Sequence, residues 1–296
     1  MSDELMDRAA GPRIGQATAI EQSRAVAEVL AQVELSLRMP RDPVQAVDSM
    51  RRLTSLYAMA ERAFWSFPRS GSTLTGSTVH LARELARCWR NVSYGVVEID
   101  RDDRVRQSQM IAFAWDVEAN VRSSTTFIVP WLKDTKGGPK NIVDLRDIYE
   151  NNANMGARRV REQILSVLPR WYVDEAEERC RKTLERGPDG SQPFEARVSA
   201  AVAAFDRIGV NVDQLAQHVG RGPGKWSPQD LVNGGIIYRS IERGEQTADA
   251  VFGSPVTSET IRQGAAVARA VASQPSMVGE SGEFDPTTDP TWGDQS

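Results

Sequence analysis

The chain has 296 residues, 40% hydrophobic and 26% charged, the balance of a folded globular protein and not of a disordered one. Two cysteines, Cys88 and Cys180, exclude a disulfide-stapled scaffold and a four-thiolate zinc site; two histidines, His80 and His218, leave a catalytic zinc short of ligands. The net charge of -4 is uneven: residues 50–170 hold 19 basic against 13 acidic side chains, and residues 186–296 hold nine against 14.

Residues 1–18, with Gly11, Pro12 and Gly15, are expected to be flexible. From Ile20 to Leu37, the residues Val26, Val29, Leu30, Val33 and Leu37 recur at helical spacing and predict one apolar face. Asp42-Pro43 is an N-cap followed by Pro at the first helical position, so a second helix is expected to run to Ala58. The Gly-, Ser- and Thr-rich stretch from Phe64 reads as a short strand or extended loop. Ser77 is expected to cap a helix from Thr78 to Trp89.

Three strands follow: Val92–Ile99, Gln107–Ala119 and Arg122–Trp131. Their short connections, the first being Asp100–Asp103, predict an antiparallel meander. Lys133–Lys140 reads as a basic loop. A long helix is expected from Leu145 to Leu168, with a break or bend at Asn151–Asn154 because asparagine competes for backbone bonds. Another helix covers Asp174–Leu184, and Gly187–Pro193 marks a boundary. Beyond it a small helical module spans 187–252, with helices Phe194–Ile208, Val212–Val219, Ser227–Ile241 and Thr247–Phe252. Residues 253–296 are expected to be largely disordered. Ser276–Ser296 holds five acidic and no basic residues, a tail suited to recruiting a partner or competing with an anionic ligand.

The basic side chains cluster. One cluster is Arg158, Arg159 and Arg161 on the long helix, a second Lys133, Lys136 and Lys140 before it, a third Arg83, Arg87 and Arg90. Arginine forks suit phosphate, and Trp65, Phe67 and Trp131 lie near basic residues in the sequence, where bases could stack on them. The ordinary alternatives are a solvated face and core packing. No Walker A loop is present, and Gly71 to Gly76 lacks the lysine that would make it one. There is no Gly-x-Ser-x-Gly elbow and no His-Glu-x-x-His. Asp144, Asp147 and Glu150 share a helical face, and Asp116 and Glu118 a strand face. These are carboxylates for a two-metal nuclease or, more ordinarily, helix-start and sheet-surface residues. No apolar run reaches the roughly 18 residues of a membrane span. The start Met-Ser-Asp-Glu lacks a secretory pattern, so a cytoplasmic location is expected, in the bacterial host if phage-encoded.

The order of helix, three-stranded meander, basic loop and long helix resembles the phage single-strand annealing proteins of the Rad52, RecT, Redβ and Erf group. Two blocks carry the resemblance: Thr75 to Asn91, and Asp144 to Arg159 with its Gly156-Ala-Arg-Arg. A third segment, Leu231–Phe252, is similar to a late helical segment of RecT-type proteins. The resemblance implies an α+β, Rad52-like annealing core over 19–186, the meander packed on the long helix, followed by the small helical module. It implies ATP-independent binding of single-stranded DNA, annealing of complementary strands, and homo-oligomeric rings or helical filaments. A phage exonuclease or a host single-strand-binding protein would be a partner. No cofactor is required, and a divalent cation has no assigned ligands. The DNA groove maps onto Lys133, Lys136, Lys140, Arg158, Arg159 and Arg161, with Arg101, Arg104 and Arg106 in second rank. Two alternatives remain open: a nucleic-acid-binding or assembly protein without annealing activity, and a metal-dependent nuclease.

Overall fold

The first long helix, α1 (Gln16–Arg38), forms where the apolar spacing predicts it, and Pro40 ends it. The computed structural model describes residues 16–69, 72–135, 138–188 and 190–253. The predicted flexible start, Lys136 and the acidic tail therefore fall largely or wholly outside the described residues. In α2 (Pro43–Thr54) the Asp42 carboxylate accepts from the Val44 and Gln45 amides at 2.9 and 3.2 Å, the expected cap. The helix ends four residues before Ala58. Thr54 and Ser55 donate their hydroxyls to last-turn carbonyls, Leu56 turns extended, and a single turn, α3 (Tyr57–Ala60), follows.

The Gly- and Ser-rich stretch is a hairpin of β1 (Phe64–Arg69) and β2 (Ser72–Ser77). Helix α4 (Val79–Trp89) is capped by Thr78, not Ser77: Thr78 Oγ1 accepts from the Leu81 amide, while Ser77 Oγ donates to Glu177 at 2.7 Å. The meander consists of β3 (Val92–Asp102), β4 (Gln107–Asp116) and β5 (Val121–Pro130), antiparallel in that order. Strand β3 runs on through Asp102, into the predicted turn, because a bulge between Glu98 and Asp100 restores pairing. The chain reverses instead near Arg106, whose φ is 57°. The segment read as a basic loop is a small hairpin of β6 (Leu132–Thr135) and β7 (Gly138–Asn141).

Helix α5 (Leu145–Val167) packs across one face of the meander. It runs unbroken through the asparagines. Asn152 is buried and donates to Ser108 Oγ at 2.9 Å, so the sheet and not the helix's own backbone takes its hydrogen bond. Gly156 crosses β3 so closely that a Cβ there would lie 2.9 Å from Val96 Cγ1. Strand β4 turns its small side chains, Ala112 and Ala114, to the helix. Its large ones, Ile111, Phe113 and Trp115, are half-buried on the opposite face. Helix α6 (Arg170–Arg186) begins four residues earlier than predicted, directly after Pro169, and buries Tyr172 against Trp89 with ring centroids 4.7 Å apart.

The carboxyl-terminal helices are α7 (Phe194–Arg207), α8 (Val212–Val219), α9 (Pro228–Glu242) and α10 (Ala248–Phe252). Capping boxes at Asn211 and Ser227 start α8 and α9. The main core joins α2, α4, α5, α6 and the meander, and a second apolar cluster gathers around Phe205, Leu215 and Trp226. Helix α9 feeds both, with Val232 and Ile236 in the first and Leu231 and Ile237 in the second. Ser240 of α9 accepts from the Ser66 amide at 2.9 Å, tying the module to the β1–β2 hairpin.

A buried ion pair holds the amino-terminal side together. Arg41 lies 2.7 Å from Asp116 and donates to the Trp89 carbonyl at 2.7 Å; the Trp89 indole donates to the same carboxylate at 2.9 Å. Beyond this anchor α1 is unpacked: Val26 is 59% exposed and Leu30 63%. Among the described residues no helix is long and apolar enough to cross a membrane.

Candidate nucleic-acid interface

Helical spacing separates the three arginines of α5. Arg158 and Arg161 lie three apart and point toward the β1–β2 hairpin, where both line a cavity of about 400 Å³. Arg159 points the other way, to Glu162 at 3.3 Å and to within 5.9 Å of the Phe127 ring on β5. Hairpin register supplies the opposite wall. Trp65 pairs with Gly76 and Phe67 with Leu74, so Trp65, Phe67 and Leu74 share one face of the ribbon. Gly76 is needed at its position, since a Cβ would lie 2.9 Å from the Trp65 ring. The Trp65 indole donates to the Ser77 carbonyl at 3.0 Å, which fixes its orientation, while Phe67 is 51% exposed.

The charge at this wall is under-neutralised. Arg161 stacks 5.2 Å from the Trp65 ring centroid, its side chain is 18% exposed, and among the described residues its ion partner is Glu162 at 3.6 Å. Burial pulls its guanidinium below the ordinary arginine range, and the neighbouring charges of Arg158 and Arg159 act in the same direction against Glu162. Arg158 is exposed and makes no ion pair among the described residues. An anion arriving here relieves like-charge repulsion and gains planar, forked donors. Arg243, at the end of α9, closes one side, held by the Phe64 carbonyl at 2.8 Å and Glu245 at 3.0 Å. Its place was not legible in the sequence, because it lies 82 residues beyond Arg161.

The remaining predicted residues are dispersed. Lys133 and Lys140 are exposed and directly opposite each other across β6 and β7, a like-charge pair that favours a bound anion. Arg104 is exposed in the β3–β4 turn. Arg101 is engaged by Glu98 at 2.9 Å and lies over the Trp131 and Tyr149 rings; Arg106 donates to the Ile142 carbonyl at 2.5 Å. Trp131 is buried and donates to Ser108 at 3.0 Å, which removes it from the stacking candidates. In the third basic cluster, Arg87 pairs with Glu84 and Arg90 reaches Gln45.

The carboxylates do not converge. Asp116 is taken by Arg41 and Trp89, and Asp144 caps α5 by accepting from the Arg146 and Asp147 amides. Among the described residues, no group of three or more His, Cys, Asp or Glu side chains could hold a metal ion. No protein-family model matches the chain, and no curated protein or solved structure matches it.

Proposed function

We propose that this protein binds single-stranded DNA and anneals complementary strands without nucleotide hydrolysis, in phage-type homologous recombination. The observation that carries the reading is the Arg158–Arg161 pair, short of counter-charge and placed beside Trp65 and the exposed Phe67. Single-strand binders that tolerate any sequence combine these two elements, cations for the backbone and aromatic faces for bases. The resemblance of the chain's element order to the Rad52, RecT, Redβ and Erf annealing proteins supports the same role and a Rad52-like core. Annealing leaves recognition to base pairing, so the protein's work is to hold phosphates and keep strands extended.

Assembly into a homo-oligomer belongs to this reading. Two apolar surfaces support it: the stripe of α1 and the meander face bearing Ile111, Phe113 and Trp115. Many weak sites along one strand then add by avidity. The partners proposed are single-stranded DNA, the annealed duplex intermediate, further copies of the chain, and a phage exonuclease or a host single-strand-binding protein. The uncovered α1 stripe also favours a second reading, an assembly protein that binds no DNA.

The test is annealing of two complementary labelled oligonucleotides without ATP across a salt series. The proposal expects tight single-strand binding, accelerated annealing, and affinity that falls steeply with salt. Arg158→Ala and Arg161→Ala should each weaken binding about tenfold, about 1.4 kcal/mol, with far-ultraviolet circular dichroism unchanged. Assembly without any salt-sensitive DNA binding would favour the second reading. Cleavage that depends on a divalent ion would replace both with a nuclease.

A further inference from the structure

We infer that the cavity behind Arg158 and Arg161 takes one unpaired nucleobase from the bound strand, so that each protomer withdraws one nucleotide from pairing. The inference rests on the single-strand reading above and specifies what that site holds. The cavity, about 400 Å³, lies toward the small end of the roughly 300–1,000 Å³ of ligand sites. It suits a single planar group and not a run of strand.

Its walls divide by chemistry. The hairpin side is apolar, with Trp65, Phe67 and Leu74 on one ribbon face, while Arg158, Arg161 and Arg243 contribute positive charge, Arg243 being answered by Glu245 in the same lining. A phosphate alone would gain nothing from the apolar side, and an apolar ligand alone would leave the under-neutralised arginines unanswered. A nucleotide satisfies both, its phosphate on the arginines and its base against the aromatic wall. A base in a duplex would first have to leave its stack, a cost that an unpaired strand largely avoids, so the cavity selects single strands.

The experiment uses the full chain and oligothymidylate carrying one 2-aminopurine at successive positions. Binding is followed by anisotropy and base environment by 2-aminopurine emission. The inference expects an emission change at recurring positions in the bound strand. Phe67→Ser, at a half-exposed side chain, should abolish that change and weaken binding about 5- to 150-fold, the range of one lost stacking contact. Strand binding with no emission change at any position overturns the base site and leaves the single-strand reading standing. An emission change that survives Phe67→Ser combined with Leu74→Ser also overturns it, since the base then stacks elsewhere. If free 2-aminopurine deoxynucleoside monophosphate gives the same change at the same concentration, the ligand is a free nucleotide and the strand assignment fails. If no strand binds, the single-strand reading and this inference fall together.

Discussion

Helices α1 and α5 are both 23 residues long, yet they have opposite fates. Helix α1 is the more apolar of the two on average and lies almost wholly in solvent; α5 carries three asparagines and a glycine and crosses the centre of the fold. The difference is in what faces each helix. Strand β4 offers α5 a surface of alanines, Gly156 lets the backbone approach Val96, and Asn152 finds Ser108. Nothing within the described residues offers α1 a comparable surface. An apolar stripe thus records a capacity for burial, while relief on the partner decides whether burial happens.

Substitutions at three places break or sharpen this contrast. The largest effect is expected at the anchor between α1 and the body. Asp116→Ala leaves the Arg41 guanidinium buried without its counter-charge and should cost about 3–5 kcal/mol in urea unfolding. A loss below 1 kcal/mol would mean that Arg41 swings out to water and that the anchor matters little. Gly156→Val should cost about 1–3 kcal/mol through overpacking against Val96, and Val96→Ala in the same chain should return part of it. Absence of that rescue would show that α5 is not held by close approach. The smallest stability effect is expected on α1. Val26→Gln and Leu30→Gln should each change unfolding by no more than about 0.5 kcal/mol. The same changes should lower the solution mass, by light scattering, toward that of a single chain. A stability loss like that at Gly156 would mean that α1 packs against its own body.

Local signals were legible where physics is local. The cap at Asp42 and the three meander strands are each set by a few neighbouring residues. Errors arose where two local candidates compete or where a distant partner intervenes. Ser77 and Thr78 are both good caps, and Glu177, 100 residues away, claims Ser77. The lysines and glycines of 133–140 resemble a loop, but Leu132–Thr135 pairs residue by residue with Gly138–Asn141 as β6 and β7. In the candidate site, the arginine cluster was visible as composition. That Arg159 leaves the group, that Trp131 belongs to the core, and that Arg243 joins it depended on the path of the whole chain.

The sequence by itself determined the α+β class, most element boundaries, the basic middle and the acidic end, because these follow from periodicity, capping chemistry and charge within short windows. Only the tertiary structure decided which apolar stripe is covered, which aromatics stay available, and which arginines share a cavity. Those outcomes depend on contacts between residues 75 and more positions apart, such as Arg41 with Asp116 and Arg161 with Trp65. Such pairs exist only once sheet register and helix packing have brought them together.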